Sequence, residues 1–193
     1  MHRGKSAILI LAGIAATQFL AGCSSDKPGN GSRTDTAGGL TWNAPSSWQD
    51  GPAQQMRVKT YIVKASEGDA ENAECGVFYF AGGFGGGKEA NLHRWTGQFE
   101  QPDGRNSADL AVIREIENNG LKITTIELDG IYKLSAGPMM EVKERIPGFR
   151  LYGAIVEGPQ GSVFFKMVGP EKTVSAAESE FMNMLKSARA GAK

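Results

Sequence analysis

Cysteine and histidine are scarce in this chain of 193 residues, at two each. Cys23, Cys75, His2 and His93 cannot build a cysteine-rich or histidine-rich metal centre. No block of like charge stands out either, and 21 Lys+Arg balance 21 Asp+Glu. Nucleic-acid binding needs a basic face, so nucleic acid is not an expected partner. The longest apolar run, Ala7 to Ala16 extended by Phe19 and Leu20, is too short for a comfortable bilayer span and has no stop-transfer flank. Gly-x-Ser-x-Gly, His-Glu-x-x-His and Cys-x-x-Cys are all absent. The usual signatures of serine hydrolases, zinc peptidases and dithiol redox proteins are therefore missing, and no sequence feature calls for a cofactor.

What is present begins with a basic start, His2, Arg3 and Lys5, followed by the apolar run and the small residues Ala21-Gly22 before Cys23. Positive, then apolar, then small is the order of a secretory signal peptide. Leu20-Ala21-Gly22-Cys23 resembles the lipobox of bacterial lipoproteins at every position. The resemblance implies that Cys23 carries a thioether-linked diacylglycerol, that residues 1–22 are removed, and that the new amine is acylated. The membrane partner is then reached through lipid, and several acyl chains hold stably where one holds marginally. Ser24 resembles the outer-membrane default of enterobacterial lipoproteins, which implies the periplasmic face of the outer membrane rather than the inner membrane. With Cys23 lipidated, Cys75 is alone and forms no intramolecular disulfide. Its setting, Glu74-Cys-Gly-Val-Phe-Tyr-Phe80, reads as a strand with a buried thiol.

Loss of residues 1–22 leaves 171 residues, and loss of Arg3 and Lys5 leaves 19 basic against 21 acidic side chains. One domain with a sizeable core is expected. Ser24 to Gly39 has no large apolar residue and reads as a disordered tether. The expected organisation is a signal peptide over 1–22, lipidated Cys23 and tether over 23–39, and a single α+β domain over 40–189.

Within the domain, Gln55–Val63 alternates, with Met56, Val58, Thr60 and Ile62 on one side, and predicts a strand. Gly68–Asn72 reads as a turn, Cys75–Phe80 as a strand and Ala81–Gly87 as a glycine loop. Leu92, Trp95 and Phe99 predict an amphipathic helix over Glu89–Glu100. Leu110–Ile116 and Leu121–Leu128 read as a hairpin around Asn118-Asn119-Gly120. Arg150–Val156 and Ser162–Val168 form another pair around Gly158–Gly161. Ser175–Arg189 reads as the closing helix, with Ser175 and Glu178 as a capping box and Val174, Ala177, Phe181, Met184 and Ala188 as its apolar stripe. In Val163-Phe-Phe-Lys-Met-Val168 both parities are apolar, so this strand needs cover on both faces. The expected fold is a mostly antiparallel sheet of about six strands flanked by two main helices. Val163-Phe-Phe-Lys-Met-Val-Gly-Pro170 and Phe181-Met-Asn-Met-Leu-Lys-Ser187 resemble the closing hairpin and helix of the PsbP-like fold group. Ala90-Asn-Leu-His-Arg-Trp95 after a Gly-rich loop resembles uncharacterised bacterial lipoproteins. The fold group implies a PsbP-like sandwich acting in binding or assembly, with no catalytic residues to carry over.

Gly82-Gly-Phe-Gly-Gly-Gly87-Lys88 meets the GxxxxGK spacing of a phosphate loop. Glu89 stands where Ser or Thr would hold magnesium, and its carboxylate would repel a triphosphate. A milder expectation is anion binding by the bare amides that open the helix. The candidate binding residues are accordingly Gly85, Gly86, Gly87, Lys88, His93 and Arg94. Cys75 with His93 is a further nucleophile pair that sequence alone leaves open. The charge run Glu141, Lys143, Glu144 and Arg145 reads as solvated. Two functional readings follow. The first is a non-catalytic, lipid-anchored envelope module that binds or assembles with a protein or small ligand. The alternative is an envelope enzyme with its site near the glycine loop and His93.

Overall fold

A computed structural model describes residues 33–83, 85–136 and 141–191. The signal peptide, Cys23, residues 24–32 of the expected tether and Phe84 of the glycine loop lie outside the described residues.

The first strand, β1 (Arg33–Ala37), falls inside the segment expected to be tether. It pairs antiparallel with β2 (Leu40–Ala44), bringing Ala37 opposite Leu40 and Arg33 opposite Ala44. Gly38 and Gly39 make the turn with φ of +58° and +74°, a two-residue geometry that glycine adopts without strain. The strand carries no large apolar residue, so periodicity could not reveal it. Polar contacts hold it instead: the Tyr61 hydroxyl donates to Asp35 Oδ2 at 2.7 Å, and Arg33 lies 3.1 Å from Asp50.

A short β3 (Gln49–Asp50) precedes β4 (Lys59–Val63) and β5 (Ala73–Tyr79). A 3-10 turn at Ala81–Gly83 leads through the glycine loop to helix α1 (Lys88–Thr96). Then come β6 (Phe99–Glu100), a single helical turn α2 (Ser107–Leu110), β7 (Val112–Asn118) and three long strands, β8 (Leu121–Ala136), β9 (Glu141–Gly158) and β10 (Gly161–Pro170). Helices α3 (Glu171–Ala176) and α4 (Glu178–Lys186) are followed by β11 (Arg189–Ala190).

Eight strands form one antiparallel sheet in the order β3-β4-β5-β10-β9-β8-β6, with β7 also paired to β8. A second sheet has the order β1-β2-β11. The α+β class and the two main helices agree with expectation, and the strands outnumber the six read from sequence. Both faces of the large sheet are covered, as the doubly apolar β10 required. On one face Val163, Phe165 and Met167 join Cys75, Tyr61, Trp42, Phe181 and Met184 in the main core. On the other, Phe164 packs with Trp95, Phe99, Ile126, Leu151 and Ile155.

Several expected boundaries need correction. The strand predicted over Gln55–Val63 starts at Lys59, and its core side is Tyr61 and Val63 rather than Met56, Val58 and Ile62. Met56 sits at φ +69° and is exposed, so the alternation that included it belongs to a turn. The first helix ends at Thr96, and Phe99 reaches the same core from β6. The closing helix is two, α3 and α4, and Ser175 lies inside the first of them. Its hydroxyl bonds the Glu171 carbonyl at 2.6 Å, so it does not form the expected capping box. The stripe Val174, Ala177, Phe181, Met184 and Ala188 is buried throughout.

Candidate functional site

Helix α1 carries or adjoins all the candidate residues of the domain. Gly87 is its N-cap, and no side chain caps its first amides. The glycine loop before it is folded back onto the helix by one buried residue, Asn91. Asn91 Nδ2 donates to the carbonyls of Gly85 (3.0 Å), Gly86 (3.3 Å) and Gly87 (3.0 Å). Its Oδ1 accepts from Arg94 at 2.9 Å. A Cβ at Gly85 would come within 2.3 Å of Phe80, and Gly86 has φ +78°, so close approach and backbone conformation both call for glycine. The three carbonyls line the inner side of the loop and are spoken for by an amide donor. That arrangement clamps the connection onto the helix.

Lys88 turns away from the loop to β7, where Nζ lies 2.6 Å from Glu115 Oε1. This contact raises the lysine pKa and lowers that of the glutamate. Lys88 and Glu115 line a cleft of about 310 Å³ with Glu117, Lys122 and Glu157. His93 faces a different cleft, about 500 Å³, with Thr96, Gln101, Arg105, Ser107 and Lys133. Glu100, also on this cleft, is held below the usual carboxylate range by a hydrogen bond from Arg145 at 3.0 Å. The structure therefore divides the sequence candidates: the loop glycines and Arg94 converge on Asn91, while Lys88 and His93 serve separate clefts.

Cys75 and His93 do not meet. Cys75 is buried in the main core beneath α3 and α4, whereas His93 is exposed on α1, which covers the opposite face of the sheet. Burial pushes the Cys75 thiol pKa up, away from the thiolate a nucleophile needs. Among the described residues no group of three or more His, Cys, Asp and Glu is placed to hold a metal.

Sequence reasoning passed over Lys166. This residue sits on β10 within the face that α1 covers, between Gly153 of β9 and Gly76 of β5 in the register. Its ammonium donates to Gln98 Oε1 and lies 5.4 Å from the centre of the Tyr132 ring. Desolvation pulls its pKa down to about 7, helped by the Arg57 charge and opposed by Glu74. Arg57 itself lies over the Phe78 ring at 5.5 Å and pairs with Glu74 at 2.6 Å. A lysine inside an otherwise apolar strand was the available signal, but its surroundings come from Arg57, Glu74, Gly76, Gln98, Tyr132 and Gly153, which only the folded sheet brings together.

No family model matches the chain, and no curated protein matches it. Solved structures with a similar fold include a protein of unknown function from Pseudomonas aeruginosa, at 8% identity and TM-score 0.45, covering 81% of this chain and 95% of that one. Cyanobacterial PsbP (CyanoP) from Synechocystis sp. PCC 6803 is similar at 13% identity and TM-score 0.48, covering 89% and 98%. A Bacteroides thetaiotaomicron protein gives 11% identity and TM-score 0.45 over 85% of this chain and 50% of its own.

Proposed function

We propose that this chain is a lipid-anchored bacterial envelope protein that displays a non-catalytic binding or assembly domain at the membrane. The observation that carries the reading is Leu20-Ala21-Gly22-Cys23 placed directly after a basic start and an apolar run. Cys23 is the lipidated residue and residues 1–22 are the cleaved signal. Ser24 favours the periplasmic face of the outer membrane.

The glycine loop is closed on Asn91, and the thiol is locked in the main core, so each has a structural task. The test is metabolic labelling with an alkyne fatty acid followed by membrane fractionation. The wild type takes up label and sediments with membranes; Cys23→Ala does neither. A Cys23→Ala chain that stays in the membrane fraction, beside an unlabelled wild type, would sink the reading.

A further inference from the structure

The two faces of the large sheet are not equally closed. Over β8 and β9 the α1 side is sealed by Trp95 and Phe99, which are buried with Ile126, Leu128 and Leu151. Around these residues the cover thins: Phe78 of β5, Phe80 just after it, Tyr132 of β8, Phe149 of β9 and Val168 of β10 pack against this second core but stay only partly buried. The aromatic rings run in two rows. Phe78 stacks near Phe80 at 6.5 Å, and Phe80 lies 6.3 Å from Phe164. Tyr132 stacks with Phe149 at 6.0 Å. Lys166 lies between the rows.

The charges around this strip do not cancel within it. Arg57 is matched by Glu74, which also accepts from Gln54 at 3.1 Å. Lys166 has an amide oxygen, that of Gln98, where a carboxylate partner would be expected for a recessed ammonium. The geometry points to a ligand site: Lys166 pairs with the carboxylate of a small monocarboxylic acid, and the half-covered aromatic strip beside it takes the acid's apolar or aromatic body. A single recessed cation with Glu74 close by suits a monoanion; a dianionic phosphate would meet one cation and a neighbouring carboxylate. The strip supplies apolar area, and the half-buried cation supplies the one specific polar contact that fixes orientation, which is the usual division in small-ligand sites.

The depressed lysine pKa gives the site a pH signature. Binding the carboxylate favours the ammonium, so affinity should hold below about 7 and fall as pH rises above it. Arg57, Glu74 and Tyr132 face the same space. Arg57 and Glu74 offset one another, and burial holds the Tyr132 phenol above its ordinary value, so it stays neutral over this range.

This inference gives the binding reading above a ligand class and rests on that reading only in being non-catalytic; lipidation of Cys23 does not enter it. The experiment is calorimetric titration of the full lipidated chain in nanodiscs, with empty nanodiscs as blank. The probes are 4-phenylbutyrate and its uncharged amide. Saturable one-to-one binding of the acid at pH 6 is expected, at least tenfold weaker for the amide, for Lys166→Met, and for the acid at pH 9. Lys166→Arg should keep most of the affinity. Equal binding of acid and amide by the wild type, or no saturable binding of the acid at millimolar concentration, overturns the inference even if Lys166→Met fails to fold. Either result would leave the labelling test of Cys23 untouched.

Discussion

A lysine set between two glycines on a sheet face gives up hydration that no carboxylate returns. Lys166 shows this in its pKa, which burial lowers from 10.5 to about 7. The sign of the consequence follows from proton counts. Between these values the unfolded chain holds the proton and the folded chain has released it, so stability rises as pH climbs from about 7 to about 10.5. Below 7 the folded state carries the full cost of a buried ammonium. Lys166→Met removes that cost while keeping most of the side-chain volume. Urea melts should show the variant more stable than wild type at pH 6, by on the order of 3–5 kcal/mol as an upper bound. The gap should shrink as pH approaches 10. A gap that stays constant with pH would mean that the gain comes from packing alone. The lysine was visible inside Val163–Val168, but its environment was not. Gly76, Gly153, Gln98 and Tyr132 come from four other parts of the chain, and only the register assembles them. Trp95 and Cys75 were easier. Trp95 stands at helical spacing from Leu92, Cys75 lies in an apolar run, and each is buried.

At the level of elements, legibility followed the apolar period and the turn chemistry. Asn119-Gly120 was read as a hairpin turn, and both residues have positive φ, 52° and 72°. The second task of that turn was hidden. Asn119 Nδ2 donates to the carbonyls of Ala188 (2.8 Å) and Lys186 (3.2 Å), and Asn118 Nδ2 donates to Lys186 at 2.7 Å. The β7–β8 turn thus supplies donors to the final carbonyl of α4, which a helix cannot satisfy itself, and to the Ala188 carbonyl just beyond it. Two substitutions separate the tasks. Gly120→Ala has open space around the new Cβ, so its cost is backbone strain alone, about 1–2 kcal/mol. Asn119→Gly keeps the turn conformation and loses the two hydrogen bonds, for about 1–2 kcal/mol. Thermal melts should place both below wild type, and fraying at α4 by hydrogen exchange should appear only in Asn119→Gly. Equal fraying in the two variants would mean that the turn geometry, not the amide, holds the helix end. The capping box at Ser175 failed for a related reason. Glu171 to Ala176 had already formed a turn of helix, and Arg150 of β9 reaches Ser175 Oγ at 2.7 Å. Partners of that kind, distant in sequence, leave no mark in a local pattern.

For the whole molecule, the decisive difference between sequence and structure lies at the entrance to the domain. A polar stretch without apolar residues reads as tether, yet Arg33–Ala37 is a paired strand of the smaller sheet. Its Asp35 accepts from the Tyr61 hydroxyl, which in turn accepts from Trp42 Nε1 at 2.9 Å in the main core. Burial and this hydrogen bond together hold the Tyr61 phenol well above its ordinary pKa. A chain starting at Leu40, the boundary that composition suggests, would lose the strand and leave a buried hydroxyl without its acceptor. One starting at Arg33 would keep both. Denaturant melts should then put the Leu40 start below the Arg33 start by on the order of 2–3 kcal/mol, the cost of an unsatisfied buried group plus a lost edge strand. Equal midpoints would return Arg33–Ala37 to the tether. The same strand sets the distance to the proposed anchor. Ten residue steps separate Cys23 from Arg33, and even fully extended they reach about 35 Å. Were Cys23 anchored as proposed, a fold beginning at Arg33 rather than Leu40 would hold the domain closer to the bilayer, with Arg33 of β1 inside that reach.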